Sequence, residues 1–279
     1  MLPWLIGFFL FLLYPIVASF YLSFTDYDVL RKPLWIGLDN YRFLLSDPVF
    51  WISLKVTFVY AFITLPLSII FGISLAILLN KKIKGIEIYR TCFYLPSIIP
   101  LVASSIIWLW IFRGDEGGLL NFLLSKLNID EIMWLSDPKW GLVALIIMNL
   151  WMMGNAVLIY LAGLQDIPEA LYEASEIDGA NFFQNFFFVT LPMLTPTIFF
   201  NLIIGIISVF QYFIPAYVMT SGGPEYSTTF YSLYAYQNAF EDFKFGYASS
   251  MAWILFLIIV LLTFFAFKGF AEKVHYQGK

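Results

Sequence analysis

The chain has 279 residues, of which 61% are hydrophobic, 20% aromatic and only 12% charged, with a mean hydropathy of +0.83. A soluble chain this apolar could not cover its own surface, so lipid must be the solvent for most of it. The net charge of −4 offers no basic footprint for nucleic acid, and the single cysteine, Cys92, provides neither an internal disulfide nor a metal cluster.

A bilayer-spanning helix needs about 20 mostly apolar residues, and six segments qualify. The first, 2–24, is too long for the apolar region of a signal peptide and lacks a basic leader, so it reads as a span. The others are 53–79, 89–112, 141–162, 189–219 and 247–267. Pro192 and Pro196 are expected to kink or break the start of the fifth. No repeat and no low-complexity linker divides the chain, so 1–279 reads as one all-α integral membrane domain.

Six spans put both termini on one side. With cytoplasmic termini, the internal pieces carry Lys81, Lys82, Lys84, Arg90, Lys268, Lys273 and Lys279. The external pieces carry Arg31, Lys32, Arg42, Lys55, Arg113, Lys126, Lys139 and Lys244. The raw count is thus seven against eight. Density separates them: "NKKIKGIEIYR" holds four cations in eleven residues, which favours cytoplasmic termini.

Within the spans, Arg90 at the edge of the third aside, the one clear ionisable residue is Lys55, which argues against a proton-coupled pump. There is no GxxxxGK, HExxH or GxSxG, and the single histidine, His275, lies in the tail. A membrane-embedded enzyme would lack its catalytic groups.

The segment between spans four and five, 163–188, is different. It reads "GLQDIPEALYEASEIDGANFFQNFFF". Asp166 and Glu169 have the spacing of a capping box, with Pro168 tolerated in the first turn. Helix formers run to Glu176, and Asp178-Gly179 supplies a stop or bend. Glu169, Glu173 and Glu176 fall on one face, with Leu171, Ala174 and Ile177 mostly elsewhere. No Lys, Arg or His occurs from 140 to 243. Two readings stand at this point: a solvated acidic face, or a docking element whose cations come from another polypeptide.

"EASEIDGANFFQNFFFVTLPMLTP" resembles the EAA loop of permease subunits in binding-protein-dependent ABC importers, whose pattern is E-A-A-x-x-D-G-A, a gap, then L-P. Glu173, Ala174, Asp178, Gly179, Ala180, Leu191 and Pro192 match it, and Ser175 replaces the second alanine. "GLDNYRFLLSDPVFWISLKVT", "WLSDPKWGLVALIIMNLW", "TSGGPEYST" and "FGYASSMAWILFLII" resemble the carbohydrate-type branch, which includes maltose, lactose and glycerol-3-phosphate importers. The match covers residues 2–268.

The resemblance implies a permease in the cytoplasmic (inner) membrane of a prokaryote. Its expected partners are a second homologous permease, two cytoplasmic ATPase subunits and an extracytoplasmic solute-binding protein. ATP and magnesium belong to the ATPases, leaving no cofactor on this chain. The EAA loop would be a coupling helix docking on an ATPase, with Gly179 at the bend. Sugars are held by hydrogen bonds and aromatic faces. Asn149, Trp151 and Asn155 in span four and Asn201, Gln211 and Tyr212 in span five are therefore candidates for the solute path, against the alternative that they hold helices together. "SGGPEYST" either contacts the binding protein or is a turn. The rival to the whole reading is a stand-alone secondary transporter or channel.

Overall fold

A computed structural model describes residues 2–270; Lys273, His275 and Lys279 lie outside them. The described residues are mostly helical, with one small departure from the all-α expectation. Thr25 and Asp26 pair antiparallel with Trp35 and Leu34 in a two-residue ladder.

Four helices are long and apolar enough to cross a bilayer: Leu2–Leu22, Pro48–Leu79, Thr195–Met219 and Phe245–Gly269. Two pairs pass the same test jointly but are bent: Ile86–Ile98 with Leu101–Ile111 by 101°, and Gly141–Trp151 with Gly154–Gln165 by 46°. The described residues thus hold four to six spans, depending on whether each bent pair counts as one.

The departures from the expected ends have local causes. The second span starts at Pro48, not 53, because Asp47 accepts the Val49 N–H and Pro48 sits where a missing N–H costs nothing. The third breaks because Pro100 pushes Ile99 into extended backbone (φ −68°, ψ 132°). The fourth breaks at Met152–Met153, and Gly154 follows. A Cβ on Gly154 would sit 2.8 Å from the Phe93 carbonyl oxygen, so the glycine lets spans three and four touch backbone to backbone. The proline kink expected in span five falls at Leu194, between Leu191–Met193 and Thr195–Phe210. A further break at Gln211–Phe213 was not anticipated.

The larger core cluster joins Tyr60, Trp108, Leu145, Met148 and Phe210, and a second gathers Ile73, Ala76, Tyr160 and Leu194. No residue of Leu2–Leu22 is buried within this chain. The span rests on the last one, with Phe20 against Trp253 at 4.8 Å between ring centroids. Lipid is as apolar as leucine, so such exposure carries no hydrophobic penalty.

Candidate functional site

The segment 163–188 sits at the end of the molecule where the second span finishes. Lys82 from the link after that span reaches Glu169 at 3.0 Å, and Arg90 donates to the Leu79 carbonyl at 3.0 Å and 3.2 Å. Basic link and acidic segment therefore share one end.

The loop helix is Glu169–Ile177. It does not begin as expected. Asp166 closes the preceding helix, its N–H bonded to the Ala162 carbonyl, and Pro168 occupies the N-cap position without a side-chain cap. Proline fixes its own φ and drives the preceding residue out of helical backbone; that residue, Ile167, is 6% exposed and anchored in the second core cluster.

The far end does behave as expected. Gly179 has φ +78°, its N–H bonds the Glu176 carbonyl at 3.0 Å, and the Ala180 N–H bonds the Ser175 carbonyl at 2.9 Å. This is a Schellman ending, in which left-handed glycine reverses the chain and satisfies the last carbonyls. Asn181 and Gln184 then form the real capping box, at 3.0 Å and 2.8 Å. The N-x-x-Q spacing that signals it was available in the sequence.

Two side-chain ties fold the loop helix back on the base of span five. The Tyr172 and Thr190 hydroxyls meet at 3.0 Å. The Ser175 hydroxyl donates to the Tyr172 carbonyl at 2.7 Å and meets the Asn185 side-chain oxygen. Between them lies a cavity of about 230 Å³ lined by Ile77, Asn80, Leu164, Phe182 and Phe186 among others. Leu191 packs on the second core cluster, and the Pro192 carbonyl accepts from the Thr195 hydroxyl at 2.6 Å.

The acidic face is exposed. Glu169 has the cation just described, from its own chain, so the expectation that this face takes its cations from another polypeptide is corrected at that residue. Glu173, Glu176 and Asp178 have no ion-pair partner among the described residues. Ala174 is exposed beside them, and Ile177 is 87% exposed.

Among the described residues the six solute-path candidates are not gathered into one pocket. Trp151 lines a cavity of about 570 Å³ with Ser74, Cys92 and Phe93, and its ring meets Trp108 at 5.6 Å. Asn155, one turn on, lies 3.5 Å from the Ser97 hydroxyl. Asn149 is half-buried. Gln211 instead lines a groove of about 690 Å³ between spans five and six. Tyr212 is buried against Tyr60 at 4.7 Å and Phe230 at 4.9 Å. Asn201 donates to the Thr197 carbonyl of its own helix at 3.1 Å. "SGGPEYST" is a tied turn: Gly222 has φ +89°, and Thr228 and Thr229 donate to the Gly223 and Gly222 carbonyls.

Residues 68–276 match the family described as binding-protein-dependent transport system inner membrane component. The probable ABC transporter permease protein YesP of Bacillus subtilis is 47% identical across 99% of this chain and 91% of its own length. The lactose transport system permease protein LacF of Rhizobium radiobacter is 36% identical across 94% and 90%. The fold matches that of a bacterial alginate ABC transporter, crystallised in complex with an alginate pentasaccharide-bound periplasmic protein. The TM-score is 0.86 over 97% of this chain and 92% of that one, at 23% identity. Apolar helices, shared fold and near full-length likeness together mean that this chain belongs to the binding-protein-dependent transport system inner membrane component family, as a multi-pass ABC transporter permease.

Proposed function

We propose that the chain is one permease subunit of an importer that carries a sugar or related small carbohydrate across the cytoplasmic membrane. A second homologous permease completes the path, an extracytoplasmic binding protein delivers the solute, and two cytoplasmic ATPases supply the energy. In this reading 1–279 forms one domain of six spans with cytoplasmic termini. Residues 163–188 are the coupling loop, and ATP and magnesium are bound by the partners. The sugar assignment is supported by lactose in one relative's name and alginate in that of the matching structure. The "SGGPEYST" turn, with Glu225 and Tyr226 exposed, is a candidate contact for the binding protein.

The observation that carries this reading is the loop helix. A short helix ending in a left-handed glycine presents Glu173, Glu176 and Ile177 outward, and neither glutamate has an ion-pair partner among the described residues. Glu173, Ala174, Ser175, Asp178, Gly179 and Ala180 would meet the ATPase, while Leu191 and Pro192 would pass its movement into span five. When the ATPases close on ATP, the coupling helices would be pressed together and the spans rocked about the solute path, a mechanical coupling through a contact with two arrangements. Asn149, Trp151, Asn155, Asn201, Gln211 and Tyr212 would contribute to that path once the second permease completes it. A stand-alone transporter would have no use for such an unpartnered face.

The test is co-purification of the ATPase subunits with the membrane-inserted permease pair, followed by transport in vesicles. Glu173→Lys should abolish co-purification and uptake while insertion is unchanged. Wild-type uptake in that variant would sink the assignment.

A further inference from the structure

Among the described residues one carboxylate is buried, and it lies far from the loop helix. Asp47 is 8% exposed, at the opposite end of the second span. The sequence reason is Ser-Asp-Pro before a long apolar run: aspartate caps, proline starts the helix. One carboxylate oxygen accepts the Val49 N–H at 2.9 Å. The other accepts two hydroxyls, from Tyr234 at 2.6 Å and Tyr247 at 2.7 Å. Tyr234 lies on the short helix Tyr231–Tyr236 between spans five and six, and Tyr247 on the first turn of the last span.

Neighbouring bonds extend the connection. The Thr57 hydroxyl oxygen accepts the Tyr231 N–H at 2.9 Å, and the Tyr231 hydroxyl donates to the Met251 carbonyl at 2.8 Å. The Ser232 hydroxyl donates to the Phe210 carbonyl at 3.1 Å, the last helical residue before the break in span five. This short helix is thereby tied to spans two, five and six. Burial pushes the Asp47 carboxyl up, but the tyrosine and backbone hydrogen bonds outweigh it and hold the group below its ordinary range. No cation lies within ion-pair distance of it among the described residues; its charge is met by hydrogen bonds and by the start of a 32-residue helix.

We propose that Asp47 is a positioning residue for transport: it clasps the ends of spans two and six and the short helix Tyr231–Tyr236 into one rigid unit that moves as a body in the transport cycle. This rests on the permease reading. A rigid unit at the end opposite the loop helix gives a push on that helix something to act against. With the clasp undone, the ends part separately and ATP hydrolysis no longer requires delivery of solute.

The test uses the reconstituted complex of both permeases, ATPases and binding protein. Tyr234→Phe/Tyr247→Phe removes both hydroxyls and keeps the rings. It should raise hydrolysis without binding protein about fivefold and lower solute moved per ATP, with assembly unchanged. In a Cys92→Ser background, Asp47→Cys/Tyr234→Cys should show the same loss when reduced, and a bis-maleimide bridge between the two thiols should restore coupling. A double Phe variant with wild-type basal hydrolysis and uptake overturns the clasp, and so does a bridge that blocks uptake. If the wild-type complex recruits no ATPase, it is the permease reading that fails.

Discussion

The two ends of this molecule handle carboxylates in opposite ways. At the loop end, Glu173, Glu176 and Asp178 are exposed and have no ion-pair partner among the described residues. At the other, Asp47 is buried and each of its oxygens accepts hydrogen bonds. An exposed acid costs almost nothing to keep and can be redirected toward a partner. A buried one is stable only while every bond is made, and it fixes the elements that donate them. The loop end is therefore suited to contact, and the Asp47 end to rigidity.

Substitutions can break this contrast. The largest effect is expected from Asp47→Ala, which strands two hydroxyls and the Val49 N–H. It should destabilise the detergent-solubilised protein by about 1.5–3 kcal/mol, read from a denaturation midpoint. The same carboxylate sets a pH limit. Its folded pKa lies below the unfolded value of about 3.9, so its contribution is fully present above that value and disappears as pH falls through the lower folded one. Acid unfolding of wild type should therefore be steeper than that of Asp47→Asn. Tyr234 shares in this, its hydroxyl pushed up to about 12 by burial and by its bond to Asp47, while nearby Asp242 is paired with Lys244.

Smaller effects are expected at the loop end. Gly179→Ala places a Cβ in open space but at φ +78°, costing about 1–2 kcal/mol locally. Gly179→Asn should cost less in the same denaturation measurement, because asparagine tolerates the left-handed region better. Glu173→Lys should leave the melting midpoint within about 0.5 kcal/mol of wild type while abolishing ATPase capture. Least of all, Lys82→Ala removes an exposed ion pair worth about 0.2–1 kcal/mol and should be near silent in stability. If Lys82→Ala proved as costly as Asp47→Ala, the contrast between the ends would be lost.

The sequence made the spans visible because twenty apolar residues in a row have few other uses, and it made Gly179 visible because Asp-Gly after a helical run is turn chemistry. It hid the 101° bend, since Pro96 and Pro100 stand in an apolar run that reads as continuous. The start of the loop helix was misplaced because Asp166 and Glu169 fit a capping pattern that the buried anchor at Ile167 overrides. Asp47 could be read as a helix cap, but its tyrosines lie 187 and 200 residues further on. No local pattern links them. For the same reason tertiary packing separates solute-path candidates chosen by residue type along two helices: Trp151 and Gln211 line different cavities, and Tyr212 is buried against Tyr60.

The first span, with nothing buried and its ring contact on Trp253, also bears on how the protein is made. It leaves the ribosome more than two hundred residues before its neighbour Trp253. At about 5–20 residues per second the wait is tens of seconds. A soluble helix so exposed would aggregate in that time, but this one is stored in the bilayer at no cost and is docked only when the last span arrives. Truncating the chain before the last span should therefore leave the first inserted yet free to diffuse, which a crosslinking time course during synthesis would reveal.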